Sequence, residues 1–391
     1  MPISKQALSI ANSPTLALND KAGVLRAQGK AVINLCVGEP QNKAPLVAVE
    51  SAIARLETRE VKYAPTSGTQ ALKQAIIQYT QEIYGRTPAP ANILVTVGAK
   101  QALFNALYSL GNPKDEVILL APYWVSYPEM VKLAYGVPVV VMPPEGSLHH
   151  RLADIESAIT PRTKAIIFNN PNNPSGMVYP QEFIAGLVDL CERGGVYLIM
   201  DDIYHKLVYG STPWVPGYRY TEQEIDSSRL IVINGVSKSY GMTGFRIGWV
   251  VASRELVRVM SNIQAHTTSG ASIVMQDAAL GALTGPQDVI AELLESIKAN
   301  RDIAMTELRT FNGLRVTEPE GAFYVLPDFS AYNPNSAELS EFILEKALVA
   351  VVPGAAFGME GHLRLSYAGL PEDVTEGIRR MRLALEPTTA R

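Results

Sequence analysis

The feature that most constrains the fold is a series of short apolar runs in the middle of the chain, separated by segments of helical periodicity. This alternation predicts a mostly parallel sheet with helices on both faces. The runs carry Val, Ile or Leu at nearly every position, which is typical of strands buried on both sides. Seven strands are predicted, at residues 92–98, 116–122, 137–143, 164–171, 196–202, 230–236 and 247–253. Helices are predicted between several of them, at residues 100–110, 123–134 and 182–193.

The pattern changes near residue 285. A long helical pattern, at about 286–311, is followed by short apolar runs and two further helical patterns. We therefore predict an α/β fold with a seven-stranded central sheet and a smaller α+β domain. The large domain would comprise residues 46–285, and the small domain residues 1–45 together with 286–391.

Composition and charge limit the kinds of molecule that this protein is expected to bind. The 391-residue chain has a formal net charge of −4 and no basic block, so neither nucleic acid nor a membrane is an expected partner. No apolar stretch approaches the roughly 18 residues of a membrane span, and the N-terminus lacks the apolar core of a signal peptide. Cys36 and Cys191 lie far apart and predict buried reduced thiols. We expect a cytoplasmic protein without a metal site.

Chemically useful side chains follow five of the predicted strands. In an open parallel sheet, ligands bind beyond the carboxyl ends of the strands. Those positions carry Gly98 before a helix start, the aromatic stretch "PYWVSYP", the turn "NPNNPSG", the pair "DD" at 201–202, and Lys238. A helix start binds anions such as phosphate. One edge of the sheet is thus expected to hold an anion cradle, a stacking ring, amides, a carboxylate and an amine.

This set meets the needs of pyridoxal 5′-phosphate. The cofactor requires a lysine for its aldehyde and a carboxylate against its ring nitrogen. An aromatic side chain would cover one face of its ring, and Arg246 would hold its phosphate. The sequence contains no Gly-x-Ser-x-Gly elbow, no Gly-x-Gly-x-x-Gly loop and no His-x-x-x-His pair that would point to another chemistry.

Several motifs together resemble the class I and II aminotransferases of pyridoxal-phosphate fold type I. "SKSYGMTGFRIG" matches the lysine signature of that family, with Lys and Arg eight positions apart (246 − 238 = 8). "NPNNPSG", "DDIY" and "VTVGAKQALF" follow the family's order and spacing. The resemblance extends from "VGEP" at 37–40 to "HLRLSYA" at 362–368, and it is strongest to the bacterial and archaeal aspartate aminotransferase branch. It implies a homodimer with shared active sites.

The resemblance also implies catalytic roles. Lys238 would form the Schiff base with the cofactor and act as the general base. Asp201 would keep the ring nitrogen protonated. Tyr204 and Asn173 would hydrogen-bond the ring hydroxyl, and Trp124 would stack on the ring.

For the cofactor phosphate, the resemblance implies a group of ligands rather than one residue. Arg246 and the backbone at Ala99 and Lys100 would bind it, with Tyr63 reaching across from the second subunit. Position 235 is a Gly and lacks the hydroxyl that some aminotransferases aim at the phosphate, for which Ser237 could compensate.

Substrate binding is implied for another group of residues. Arg364 would hold the α-carboxylate as a bidentate fork, and Gly38 would leave room for the substrate backbone, beside Trp124 and Asn173. A dicarboxylic substrate also needs a distal cation, for which Lys100 is the candidate. The helix dipole disfavours a cation in a first helical turn, which argues for a functional reason. Thr15 could add a hydroxyl, and His266 could face the site from the other subunit.

Each of these residues has a structural alternative. Lys100 and Tyr63 could be ordinary surface residues, His266 a packed neutral histidine, and Trp124 a core residue. For Asp202, the neighbour of Asp201, capping of a helix is the expected role.

The predicted function is an aspartate:2-oxoglutarate aminotransferase with a ping-pong cycle. The alternatives are an aromatic or broad-range aminotransferase, or a β-lyase on the same fold. Ala11 and Asn12 stand where members that act on prephenate tend to carry a basic residue, which speaks against prephenate as a second substrate. A regulator would need a DNA-binding segment, for which the family match leaves no room. An inactive scaffold conflicts with the intact Lys, Asp, Tyr, Asn and Arg set.

Overall fold

A seven-stranded sheet forms the centre of the computed structural model, which describes residues 3–12 and 14–386. The strands are β1 (Ile33–Asn34), β2 (Ile93–Val97), β3 (Glu116–Leu120), β4 (Val137–Val141), β5 (Thr163–Asn169), β6 (Tyr197–Asp201), β7 (Leu230–Gly235), β8 (Ile247–Val251), β9 (Tyr324–Val325), β10 (Val349–Ala350), β11 (Val352–Pro353) and β12 (Leu363–Ser366). The central sheet has the order β2-β8-β7-β6-β5-β3-β4, with only β8 antiparallel to its neighbours. The predicted mostly parallel sheet of seven strands is confirmed.

Helices cover both faces of this sheet. The helices of the described residues are α1 (Lys5–Leu8), α2 (Pro14–Ala27), α3 (Leu46–Glu57), α4 (Gln70–Tyr84), α5 (Ala99–Leu110), α6 (Ser126–Leu133), α7 (Leu152–Ser157), α8 (Gln181–Gly194), α9 (Arg254–Thr267), α10 (Ile273–Thr284), α11 (Asp288–Leu308), α12 (Ser336–Ala347) and α13 (Pro371–Leu385). One apolar core packs α3, α4, α8 and α10 on the first face. A second core packs α5, α6 and α9 on the other. Strands β3 and β7 are buried along their whole length because both faces are covered.

Helix α6 begins three residues later than predicted. The sequence pattern places its start at Tyr123, whereas the helix begins at Ser126. The backbone N–H of Tyr123 donates to the carbonyl oxygen of Phe357, 3.2 Å away. Residues 123–125 therefore form a turn held by a distant part of the chain, and Trp124 stands at the edge of the cavity described below.

The last third of the chain, joined by β1, forms two small sheets and the helices α11 to α13. Strands β11, β12 and β9 form an antiparallel sheet, while β1 pairs in parallel with β10. Helix α2 packs beside them through Ala22, in a small core with Cys36 and Leu344. The predicted division at residues 45 and 285 stays a prediction. No helix in the described ranges is long and apolar enough to cross a membrane.

The buried histidine His205 makes the stability of the folded protein depend on pH. His205 is buried, with Nε2 2.5 Å from the Tyr79 hydroxyl and Nδ1 2.8 Å from the Asp202 carbonyl oxygen. Burial lowers the pKa of His205 to about 3. The unfolded chain binds this proton below about pH 6.5 and the folded chain does not, so stability is lost as the pH falls from about 6.5 towards 3.

We therefore expect the free energy of unfolding to fall below pH 6.5, with His205 contributing about 1.4 kcal/mol per pH unit. Urea titrations between pH 7 and pH 5 measure this slope. His205→Gln should reduce it, whereas His362→Gln, at a surface hydrogen bond, should not. Equal slopes in His205→Gln and the unsubstituted protein would contradict the assignment.

Candidate active site

A cavity of about 330 Å³ lies beyond the carboxyl ends of β5, β6 and β7. Helices α5 and α6 contribute one wall, and residues near both ends of the chain contribute the other. Side chains that the sequence places far apart meet here. Among the predicted site residues, the cavity brings together Thr15, Gly38, Ala99, Lys100, Trp124, Asn173, Asp201, Tyr204, Ser237, Lys238, Arg246 and Arg364.

The Lys238 amine opens into this cavity. Its Nζ donates a hydrogen bond to the Gly38 carbonyl oxygen, 2.7 Å away, and within the described residues it forms no ion pair. Burial, with a smaller contribution from the cations Arg246 and Arg364, lowers the pKa of Lys238 to about 8, against the opposing effects of Glu39 and Asp201. A useful fraction of the amine is therefore neutral near pH 7 to 8, as a nucleophile or general base requires.

Asp201 ends β6 on the cavity side. Its Oδ2 accepts a 2.6 Å hydrogen bond from the Tyr127 hydroxyl, whereas its buried Oδ1 has no partner within residues 3–12 and 14–386. Burial raises the pKa of Asp201 to about 6, against the opposing effects of Tyr127, the Ile203 backbone N–H and Lys238. At neutral pH this carboxyl is mostly ionised. Its free oxygen can accept a hydrogen bond from a bound molecule.

An anion cradle lies where α5 begins. Gly98 precedes the helix with φ +76°, and a Cβ there would come within 2.5 Å of Arg246 Nη2. Only glycine allows this approach. The Arg246 side chain donates to the Thr243 carbonyl oxygen at 2.8 Å and has no acidic partner in the described part of the chain. With the first amides of α5 and the buried Ser237 beside it, this guanidinium suits a phosphate.

Two phenols and an amide form the wall next to Asp201. The Tyr204 hydroxyl lies 3.1 Å from that of Tyr324 and 3.4 Å from the amide nitrogen of Asn173. Burial raises the pKa of Tyr204 well above its usual value, so the phenol stays protonated and can donate a hydrogen bond.

Arg364 is the buried cation of the site. Its guanidinium donates to the Asn173 side-chain oxygen at 3.1 Å and to the Cys36 carbonyl oxygen at 2.6 Å. It packs between the rings of Tyr324 and Phe357, with its Cζ 4.6 and 5.0 Å from their centroids. Its Nε is buried and has no partner among the described residues. A buried cation with only neutral partners is suited to a carboxylate ligand.

Trp124, Lys100 and Thr15 line the outer wall. The Lys100 Nζ lies 4.8 Å over the Trp124 ring, and partial burial lowers the pKa of Lys100, as does Arg246. The buried hydroxyl oxygen of Thr15 has no hydrogen-bond partner in the described ranges. The rim therefore offers one ammonium group and one hydroxyl to a ligand.

Gly38 departs from expectation. It is predicted to leave room for the substrate backbone, but a Cβ on Gly38 would lie 2.6 Å from the Tyr324 hydroxyl oxygen. In this structure the phenol takes up that space. The glycine therefore lets Tyr324 reach the lysine side of the cavity, and a contact with substrate stays a prediction.

Two predicted residues do not line this cavity. Tyr63 is 95% exposed, and His266 is exposed in the last turn of α9. Both are expected to act from a second subunit, which stays a prediction. The expectation that Asp202 caps a helix is wrong, because residues 202–205 form a turn and its side chain accepts a hydrogen bond from Tyr84.

Sequence reasoning misses several residues that complete the site. The sequence presents Tyr127 only as part of an aromatic stretch, and Tyr324 only as part of an apolar run. Tyr127 reaches Asp201 across 74 residues, and Tyr324 reaches Tyr204 across 120. Neither contact has a local signal in the sequence. The cavity also includes Asn169, whose side-chain amide donates to the Asp201 carbonyl oxygen at 2.7 Å.

The doubly covered sheet and the lysine-centred cavity at its carboxyl edge define an α/β enzyme of the fold type I transferase class. Comparison with known proteins then gives the family. The family described as aminotransferase class I and II matches residues 30–381. The chain belongs to this family.

Relatives match over nearly the whole chain. A probable aspartate/prephenate aminotransferase of Aquifex aeolicus is 40% identical, covering 96% of each chain. The aspartate aminotransferase of Geobacillus stearothermophilus is 37% identical, covering 99% of each chain. Among solved structures, Thermus thermophilus aspartate aminotransferase with maleate has a TM-score of 0.92 at 38% identity, covering 98% of this chain and 100% of the other. The Rhizobium meliloti aspartate aminotransferase has a TM-score of 0.94 at 34% identity, covering 99% of each chain.

Proposed function

We propose that this protein is a pyridoxal-phosphate-dependent aminotransferase that moves an amino group between L-aspartate and 2-oxoglutarate by a ping-pong mechanism. The observation that carries the proposal is one cavity that holds the Lys238 amine, the free oxygen of Asp201 and the Arg246 guanidinium. The relatives named aspartate aminotransferase support the choice of amino acid. The Thermus thermophilus enzyme was solved with maleate, a dicarboxylate, which supports an acidic substrate.

The residues present fit pyridoxal 5′-phosphate. The orphaned Oδ1 of Asp201 would accept from the ring nitrogen, and the cradle at Gly98 with Arg246 would hold the phosphate. Trp124 would cover the ring. Asn173 and Tyr204, which already contact each other, would bind the ring hydroxyl. Lys238 stands between these groups without an acidic partner in the described residues.

When bound, this cofactor supplies an electron sink for the negative charge that develops at the substrate α-carbon. Lys238 Nζ would take the α-proton, hold it briefly as an ammonium and pass it on within the same half-reaction, so that the amine is neutral again at its end; the 2-oxo acid half would run these transfers in reverse, for which a pKa of about 8 is suitable. The Asp201 carboxylate would hold the proton on the ring nitrogen. Arg364 binds the α-carboxylate through the guanidinium edge that carries the partnerless Nε, which orients the Cα–H bond towards the lysine.

Lys100 would select the acidic substrate. Lys100→Met keeps the length of the side chain and removes its charge, so we expect KM for aspartate to rise about 10- to 100-fold, from the loss of one charged hydrogen bond. KM for phenylalanine should change little. Steady-state kinetics with both amino acids measures the difference, with Lys298→Met on the exposed face of α11 as the control. Equal effects on the two substrates would remove Lys100 from this role.

We also propose that the enzyme acts as a homodimer in the cytoplasm. Tyr63 does not line the cavity of its own chain, and its side chain is exposed. Apolar side chains on and after α3, namely Leu46, Ile53, Leu56 and Val61, are exposed near it in sequence. A second copy would cover this surface and receive Tyr63 at its phosphate site. A light-scattering mass of one chain under assay conditions would count against this arrangement.

The half-reaction tests the proposed function directly. The purified protein, loaded with pyridoxal phosphate, is mixed with aspartate, glutamate, phenylalanine or alanine, and the visible absorption band is followed; 2-oxoglutarate should then restore it. Rapid loss with aspartate and glutamate alone is the expected result. Rapid loss with phenylalanine or alanine would instead favour a broad-range aminotransferase. No band after loading would overturn the cofactor assignment.

A further inference from the structure

A second carboxyl lies behind the cavity, on the opposite side of the strand end from Asp201. Successive residues of a strand point to opposite faces, so Asp202 points away from the site. Its side chain is completely buried. Its Oδ2 accepts a hydrogen bond from the Tyr84 hydroxyl at 3.1 Å, and its Oδ1 has no partner within the described residues.

Tyr84 belongs to a short chain of hydrogen bonds. The Asn234 side-chain nitrogen donates to the Tyr84 oxygen at 2.9 Å, so the phenol proton is directed at Asp202. The Asn234 side-chain oxygen accepts from the Gly235 N–H at 2.7 Å. The Asp202 N–H donates to the Ile233 carbonyl oxygen at 3.0 Å. We call Asp202, Tyr84 and Asn234 the rear network; it joins the end of β6, which carries Asp201, to the end of β7, which leads to Lys238.

Two adjacent buried carboxyls raise the question of which one is charged. Like charges in a medium of low dielectric cannot both ionise without a large cost. Asp201 receives a 2.6 Å hydrogen bond from Tyr127 and lies in the field of Lys238. Asp202 receives one longer bond and takes part in no ion pair within the described residues. The shorter hydrogen bond and the nearby cation favour the charge on Asp201.

We propose that Asp202 is a positioning residue held as a neutral carboxylic acid, so that Asp201 alone carries the negative charge at this strand end. The neutral acid fixes the two strand ends through the rear network without competing for the proton of the ring nitrogen. The neutral state is a property of the protein itself. Its consequence for Asp201 rests on the proposed function.

The groups packed around Asp202 agree with this assignment. They are Asp201 on its own strand, Tyr79 and Tyr84 from α4, Tyr127 from α6, His205, and Tyr218 from the turn at 217–220. None is a cation at neutral pH, because burial keeps His205 unprotonated. Burial also raises the pKa of Asp202 well above its usual value, and Asp201 adds to this effect.

Infrared difference spectra of the cofactor-free protein test the protonation state. At pH 7 the unsubstituted protein should show the C=O stretching band of a protonated carboxylic acid, which Asp202→Asn should remove and Asp201→Asn should retain. Tyr84→Phe should keep the band and move it to higher frequency, because the acid loses its hydrogen bond. A spectrum without this band, or a band that survives Asp202→Asn, would overturn the proposal. If Asp202→Asn fails to fold, the Tyr84→Phe shift decides the question.

Kinetics of the loaded enzyme test the positioning role. Asp202→Leu removes the acceptor and should lower kcat roughly tenfold with KM little changed, while Asp202→Asn should recover most of that loss because it retains the acceptor oxygen. The pH midpoint of the visible band should be the same in Asp202→Asn and the unsubstituted enzyme. A midpoint shifted by about one unit would mean that a charge had been removed, which contradicts a neutral acid. If Asp201→Asn keeps full activity, the proposed function is contradicted. The infrared test of the protonation state of Asp202 does not depend on that outcome.

Discussion

Lys238→Ala is expected to lower aspartate turnover by at least about four orders of magnitude, because in the proposed function one side chain would supply both the amine for the cofactor and the general base. The visible band that follows loading with pyridoxal phosphate should also be lost or shifted. Both are measured on the purified variant, by a coupled assay and by absorption. The free energy of unfolding should change little, since the Lys238 ammonium makes one hydrogen bond, to Gly38.

The matched control is Lys298→Ala, on the exposed face of α11, which should leave kcat and the band as they are. A Lys238→Ala enzyme that turns over aspartate within tenfold of the unsubstituted rate would contradict the role of Lys238 as cofactor amine and general base. It would thereby contradict the proposed chemistry. A variant that keeps the band but lacks turnover would separate cofactor binding from proton transfer.

Arg364→Ala is expected to lower kcat/KM by about 100- to 1,000-fold for every amino acid tested, because the α-carboxylate is common to all of them. This sets it apart from Lys100→Met, whose effect should depend on the substrate side chain. The reason is structural: Arg364 is buried against Tyr324 and Phe357, and its hydrogen bonds go to neutral oxygens. Kinetics with aspartate and phenylalanine side by side measures the effect.

Arg364→Lys should restore only part of the loss, because an ammonium group cannot form the planar two-bond contact with a carboxylate. Arg258→Ala, on the exposed face of α9, is the control. A loss of kcat/KM for aspartate alone would reassign Arg364 to the substrate side chain and leave the α-carboxylate without a partner.

The central sheet could be predicted because its signal is local. Continuous Val, Ile and Leu runs identify strands buried on both faces, and each of the seven predicted runs overlaps one observed strand, although β5 begins at Thr163, one residue before its predicted run. Each predicted run extends one to two residues beyond its strand at the carboxyl end. The start of α6 could not be predicted, because the carbonyl that holds the N–H of Tyr123 belongs to Phe357.

The site residues also divide into those that a local sequence signal predicts and those that depend on distant contacts. Residues at the ends of successive strands, such as Asp201 and Lys238, share one edge of the sheet by topology, so their proximity follows from the strand pattern. Contacts made by Tyr127 and Tyr324 depend on how helices and the small sheet pack, which a single sequence does not reveal. The true setting of Asp202 is hidden for the same reason, because its partner Tyr84 lies 118 residues away.

The pairing of β1 with β10 means that the sheet they form cannot assemble until late in the synthesis of the chain. Ile33 is matched with Val349, so the first strand must wait for 316 further residues (349 − 33 = 316) before its partner exists. At about 5 to 20 residues per second, the delay is roughly 15 to 60 seconds. Late in that interval, after Lys238 has been made and before Tyr324 has, the nascent chain holds the lysine but lacks the phenol beside Gly38, and Arg364 follows only after β10. The cavity wall that includes Arg364 is therefore completed only after β12 has been made, and any product truncated before β12 lacks that part of the wall.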